Sequence, residues 1–311
     1  RTSRQWHPRV EPMVTAERYL KPDVARKVRR LDLRAKFIIE GFWAGLHASP
    51  YRGFSLEFSE HRKYVPGDDP KGLDWTAWAK TDRLYVKTFH AETNLEAYVV
   101  LDTSRSMAYA GPGGGMTKLE YARALAAAFG YLLLQQRDAM GLGLVGSALS
   151  HLVRPKTGRR HLTRVLGTLA RAEGEGPTAL APALHALARR IKRRSLVLLL
   201  SDLVDDHEAV LEALKHLAFR GHDLVVFQVL DAAERHLDLD GPVVLEDPET
   251  GLRVRTDADH IRAAYTDRVA AVTAAYERGV RQMGGDFVAM TTRTPFDQAL
   301  CHFLTERRRR F

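Results

Sequence analysis

Asp102-Thr103-Ser104-Arg105-Ser106 sets a carboxylate and two hydroxyls at alternate positions, directly behind the apolar run Leu95 to Leu101. A third hydroxyl, Thr178, follows Gly176-Pro177 where a helix is expected to open, and a second carboxylate, Asp202, follows Ser201 behind Leu196 to Leu200. All five side chains are hard oxygen donors, and none is His or Cys. Such a set selects Mg²⁺, with Mn²⁺ or Ca²⁺ as substitutes, over Zn²⁺. If one Asp acts only through water, a cation held here stays under-neutralised, and a carboxylate from outside completes it. Taken singly, each residue has a plainer role, since an Asp behind a strand caps a turn and Thr178 alone is an N-cap. The set in this order points instead to a metal.

The elements around these residues explain how they could meet. From residue 95 onward, short β-rich runs alternate with longer helical stretches. Strands are expected at Leu95–Leu101, Met140–Val145, Ser150–Val153, Ser195–Ser201, Leu224–Leu230 and Phe287–Met290, the second and third forming an edge hairpin across Gly146-Ser147. Helices are expected at about Lys118–Gln136, Arg159–Ala172, Ala179–Arg193, His207–Arg220, Asp259–Gln282 and Phe296–Glu306. This alternation implies an α/β fold with a doubly wound, mostly parallel sheet and helices on both faces. Ligand sites in such sheets lie beyond the carboxyl ends of strands, where the strand order reverses. If the strands of Asp102 and Asp202 flank that crevice, the three loops converge.

Residues 1–94 break the rhythm and read as an amino-terminal α+β elaboration of the main domain, residues 95–311. Tyr19 to Gly45 looks helical. Gly53 to Tyr64 alternates Phe54, Leu56 and Phe58 with polar neighbours, and Leu84 to Phe89 alternates again and could pair back. Pro66-Gly67-Asp68-Asp69-Pro70 is turn chemistry. Asp68, Asp69 and Asp74 invite a catalytic reading, but the turn and the neighbouring Trp75 and Trp78 favour a structural one. His61 and His90 have no partner at ligand spacing. Asp231 and Glu234 follow a strand and could share the rim of Asp202, as a cap or ion pair.

Asp102-x-Ser104-x-Ser106, Thr178 and Asp202 resemble the metal-ion-dependent adhesion site of von Willebrand factor type A domains, with all five positions intact. Gly53-Phe54-Ser55-Leu56-Glu57-Phe58, Arg62 to Asp69 and Leu73-Asp74-Trp75 resemble the hallmark block of the domain of unknown function 58 family. Ser201-Asp202-Leu203, Val229-Leu230-Asp231 with Glu234, and Asp247-Pro248-Glu249-Thr250-Gly251 are similar to it as well. The resemblance runs from about Tyr19 to the end. It implies a type A domain behind a characteristic amino-terminal segment, encoded near a MoxR-type AAA+ ATPase and serving a chaperone-like or complex-assembly role. Many relatives carry amino-terminal membrane helices; this chain resembles the shorter, soluble form.

Composition narrows the rest. At 311 residues, 45% hydrophobic and 27% charged, the chain is ordinary globular material able to bury a core. Its longest apolar stretch, Ala124 to Leu134, is too short to span a bilayer. No hydrophobic signal core follows the amino terminus, and the single cysteine, Cys301, excludes intrachain disulfides, so a cytoplasmic protein is expected. The net charge of +9 is concentrated, with eleven Lys/Arg against Glu173 and Glu175 in residues 151–194. That favours anionic partners, and a basic nucleic-acid-binding scaffold is one alternative. Without an aromatic platform or a nucleic-acid module, solvated faces are the better reading. Gly111 to Gly115 is followed by Met116-Thr117-Lys118 rather than Lys-Ser/Thr, so it is a flexible loop and not a phosphate cradle.

The enzymatic rival is a Mg²⁺-dependent phosphotransferase of haloacid-dehalogenase type. That class needs a general-acid Asp two residues beyond its nucleophile. Ser104 stands there and cannot protonate a leaving group at neutral pH. No lysine behind a strand presents itself to hold a phosphoryl group. The expectation is therefore a non-catalytic, divalent-metal-dependent protein–protein interaction module whose partner supplies an acidic residue to the metal.

Overall fold

A computed structural model of the chain describes residues 62–63, 85–86, 96–112, 114–296, 298 and 300. The expected helix at Tyr19–Gly45, the Pro66–Pro70 turn, Trp75, Trp78, His61, His90, Cys301 and most of the last helix lie outside these residues, as does most of the proposed 1–94 segment. Within it, β1 (Arg62–Lys63) pairs antiparallel with β2 (Tyr85–Val86), so the two alternating runs of the sequence do meet.

The main sheet is built from β3 (Glu96–Asp102), β4 (Ala139–Val145), β5 (Leu149–Lys156), β6 (Leu196–Ser201), β7 (Asp223–Leu230) and β10 (Asp286–Thr291). Its strand order is β10-β7-β6-β3-β4-β5. Every pair is parallel except β4 and β5, which form the expected edge hairpin. Alternation along each central strand divides the core in two. Ala97, Val99 and Leu101 of β3, Leu196, Leu198 and Leu200 of β6, and Val225, Phe227 and Val229 of β7 face one helical layer. Tyr98 and Val100, Val197 and Leu199, and Leu224 and Val226 face the other. Both faces are apolar because both are covered, as expected of a parallel sheet.

The first layer contains α1 (Lys118–Gln135) and α2 (Arg159–Arg171). The second contains α3 (Leu180–Arg190), α4 (His207–Phe219) and part of α6 (Ala258–Gln282). Helix α1 is deeply embedded, its alanines lying flat on the sheet and Phe129 packing on Phe227 at 5.3 Å between ring centroids. A capping box starts it: the Glu120 amide donates to the Thr117 hydroxyl, and the Thr117 amide donates to the Glu120 carboxylate, both at 3.0 Å. Helix α3 ends at Arg190, short of the expected Arg193, because the chain turns extended at Ile191. Among the described residues no helix is long and apolar enough to cross a membrane.

Between β7 and α6 lie a short helix α5 (Ala232–His236) and a hairpin of β8 (Pro242–Glu246) and β9 (Arg253–Asp257). The sequence pattern did not foretell this hairpin. It forms its own two-stranded sheet, and none of its residues is buried.

Candidate metal centre

The chain enters the main sheet at β3, crosses to β4 on one side, and returns to place β6 on the other. The order therefore reverses between β3 and β6, where carboxyl-end loops diverge and leave a crevice. Asp102 is the last residue of β3, and Asp202 directly follows β6. The geometry meets the condition the sequence set.

The two strand ends are stitched together. Asp102 Oδ1 accepts the Ser104 amide at 2.9 Å, and Asp102 Oδ2 accepts the Ser201 hydroxyl at 2.5 Å. Ser201 Oγ in turn accepts the Leu203 amide at 2.9 Å. Leu203 is buried at φ 58°, a left-handed conformation that a branched residue adopts only at a cost. Ser104 precedes a 3₁₀ turn at Arg105–Ala108, and its hydroxyl lies 3.0 Å from that of Ser106. Asp102, Ser104, Ser106 and Asp202 are all buried, whereas Thr178 is only half-buried.

The loop just before Thr178 is tied to this group through backbone bonds, while the Thr178 hydroxyl itself donates to Glu249. The Glu175 amide donates to the Thr103 carbonyl and the Arg105 amide to the Gly176 carbonyl, both at 3.0 Å. Gly176 has φ 77°, which a residue with a Cβ would resist here. Beyond Thr178, the Leu180 amide at the start of α3 donates to Asp205 at 2.8 Å, tying this loop to the one carrying Asp202. Thus the three sequence segments come together, through loops 103–106, 175–178 and 202–205.

Sequence reasoning missed Lys118. It is the first residue of α1, fully buried, and its ammonium lies 2.8 Å from Asp202 and 2.6 Å from Glu234. A lysine does stand at the site, then, although the chain offered none behind a strand. Only the tertiary fold could reveal it. Burial works against its charge, and the two carboxylates outweigh that, holding the ammonium above its ordinary range. Burial raises Glu234, with the ammonium pulling it partway back. Glu234 also accepts the Asp231 amide at 2.9 Å in the capping box of α5, so it is both cap and ion-pair partner. Asp231 accepts the Thr292 hydroxyl at 3.0 Å, and a Cβ on Gly111 would stand 2.3 Å from its Oδ1. The glycine loop is thus packed tight at Gly111 and open at Gly114 and Gly115.

Electrostatically the carboxylates Asp102, Asp202 and Glu234 outnumber the one ammonium placed among them, that of Lys118. Burial, and then the negative charge of Asp202, push the Asp102 carboxyl from 3.8 up to about 7, against the opposing bonds from Ser201 and Ser104. With Lys118 committed to Asp202 and Glu234, no ion pair reaches Asp102 among the described residues. Among the described residues no group of three or more His, Cys, Asp or Glu side chains could hold a metal. A cation here would rest on two carboxylates and the paired hydroxyls of Ser104 and Ser106, a donor set that fits Mg²⁺ in chemistry and in charge. A cleft of about 220 Å³ nearby is lined by Thr103, His151, Thr168, Arg171 and Glu175 among others, and none of the five donors lines it.

The fold is a doubly wound, mostly parallel α/β domain, as the type A resemblance implied, and Asp102 and Asp202 lie at its switch point. The chain belongs to the family described as "Protein of unknown function DUF58", whose model matches residues 60–275. It is similar to the uncharacterized protein Rv1480 of Mycobacterium tuberculosis, at 29% identity over 292 residues, covering 93% of this chain and 91% of that protein. Mb1516 of Mycobacterium bovis matches to the same extent. Among solved structures, BatB from Bacteroides thetaiotaomicron covers 68% of this chain and 98% of its own at 14% identity, with a TM-score of 0.42. The SpRpn10 VWA domain covers 66% of this chain and 93% of its own at 9% identity, with a TM-score of 0.37. These values mark a loose likeness in outline.

Proposed function

We propose that the chain is a non-catalytic, divalent-metal-dependent protein–protein interaction module. Asp102, Ser104, Ser106, Thr178 and Asp202 hold the ion, Mg²⁺ foremost, and a Glu or Asp of the partner completes its coordination. The observation that carries this reading is the pair of buried strand-end carboxylates beside two hydroxyls 3.0 Å apart, with no ion pair to Asp102 among the described residues. When bound, the ion supplies positive charge with room for an outside oxygen ligand. The chain's own residues keep the donors dry and fixed: Ser201 and the Ser104 amide hold Asp102, and Lys118 holds Asp202. The resemblance suggests a MoxR-type AAA+ ATPase as partner, with this chain as adaptor or chaperone-like component of complex assembly.

Lys118 also favours a second reading, a Mg²⁺-dependent phosphotransferase, since that chemistry wants a lysine beside its carboxylates. Its ammonium is wholly enclosed between Asp202 and Glu234, and Ser104 still stands where a general acid is required, so binding is the better reading. A pull-down from native extract with Mg²⁺ and with EDTA tests both. Partner capture should need the metal and vanish in Asp102→Ala. Equal capture in EDTA sinks the metal reading, and phosphate-ester turnover lost in the same variant would establish the phosphotransferase.

A further inference from the structure

One carboxylate of this chain already sits on the open side of the centre. Glu249, at the tip of the β8–β9 hairpin, accepts the Thr178 amide at 2.8 Å through Oε2 and the Thr178 hydroxyl through Oε1. Thr178 is the sole half-buried member of the five donors, the other four being buried, so the approach open to an external group lies on its side. The hydrogen-bond sense suits a ligating hydroxyl as well. A threonine that turns a lone pair to a cation must send its proton elsewhere, and Glu249 takes that proton.

The tip is shaped to present this group. Asp247 accepts the Glu249 amide at 2.9 Å and the Thr250 hydroxyl at 2.5 Å, and its carbonyl accepts the Gly251 amide at 2.8 Å. Gly251, at φ 71°, lets the turn close. Arg105, inside the Asp102–Ser106 segment, reaches across to the Pro248 carbonyl at 3.3 Å. The rest of the arm is lightly held. Val244, Leu252 and Val254 are exposed, and at its base the Ala258 amide bonds the Gly241 carbonyl at 2.8 Å. An arm fixed at base and tip, with nothing buried between, can lift without disturbing the sheet.

We propose that Glu249 is an internal occupant of the centre: the chain supplies in cis the acidic group that its partner is to supply in trans, and the hairpin must lift before an outside carboxylate can bind. The proposal rests on the metal reading above and adds a regulated entrance to it. Binding at the centre then becomes a competition, in which a partner must displace the tip as well as meet the ion.

The test uses the full chain, Mn²⁺ as the ion and ¹³C-carboxyl acetate as the outside carboxylate. Mn²⁺ binding is followed by electron paramagnetic resonance, and acetate access by the relaxation that bound Mn²⁺ imposes on the ¹³C signal. Wild type should bind Mn²⁺ in an Asp102-dependent manner yet relax acetate weakly. Glu249→Ala should relax acetate several-fold more per bound ion, while its Mn²⁺ affinity falls about 10-fold or more, since the centre loses its internal carboxylate and Thr178 loses the acceptor of its proton. Glu249→Gln, which keeps the size of the tip, should also raise acetate access. Asp102-dependent Mn²⁺ binding with equal acetate relaxation in wild type and both variants overturns the internal occupant alone. Absence of Asp102-dependent Mn²⁺ binding in wild type overturns the metal reading and the occupant with it.

Discussion

Lys118 and Asp202 form an ion pair with no solvent exposure on either side chain, in a site that also encloses Asp102. Removing one member of such a pair leaves the other charged in a medium that cannot solvate it. Lys118→Met should therefore destabilise the fold by about 3–5 kcal/mol, measured by denaturant unfolding. A loss below about 1 kcal/mol would mean that water reaches Asp202 freely. His222 offers a second check at this scale. Its Nδ1 accepts the Ser195 amide at 3.2 Å, and its Nε2 is buried without a hydrogen-bond partner among the described residues. Burial, then the nearby Arg220 charge, lowers its pKa below 6.5. The unfolded chain therefore takes up a proton that the folded chain resists. Stability from this residue is complete above 6.5 and declines as pH falls below it. His222→Gln should flatten that acid-side decline in thermal melts, and an unchanged profile would remove His222 as its cause.

At the scale of elements, Gly141 in β4 marks a tight joint near the edge of the sheet. A Cβ there would stand 2.8 Å from the Tyr98 ring of β3 and 2.9 Å from the backbone carbonyl of Val153 in β5. Backbone on one side and a packed ring on the other leave no easy relief. Gly141→Ala should cost about 1–3 kcal/mol by the same unfolding measurement, and a neutral result would show that the β4–β5 hairpin yields. The strands themselves were legible because two-sided burial writes them as unbroken apolar runs, Val99-Val100-Leu101 and Leu196 to Leu200 being the plainest. The β8–β9 hairpin was not. It buries nothing: Val243-Val244-Leu245 is an apolar run only three residues long between Pro242 and Glu246, and Arg253 to Asp257 is mostly charged, so neither stretch carries the longer apolar run of a core strand. Its turn, Asp247 to Gly251, did stand in the sequence as a family hallmark, without the chemistry of Glu249. The Thr117–Glu120 capping box was also there to be read, as a threonine with a glutamate three residues on.

Across the whole molecule, the adjacent strand ends that carry Asp102 and Asp202, and the loop before Thr178 tied to them, were legible in the sequence, because strand ends are where this fold places its ligand loops. Lys118 and Glu249 were not, since their partners Asp202 and Thr178 lie 84 and 71 positions away. The eleven Lys/Arg of residues 151–194 are all exposed, along β5, on α2 and around the end of α3, which accords with solvated faces. The order of the strands carries a consequence for the life of the chain. Ser201 and Asp102, which share a hydrogen bond, are 99 positions apart, and β6 is set beside β3 only after α1, β4, β5, α2 and α3 have been made. During synthesis the growing polypeptide therefore carries half a centre for as long as those intervening elements take to emerge. No partial product short of β6 can present both strand-end carboxylates, so a partner that recognises them also inspects whether β6 has been laid beside β3.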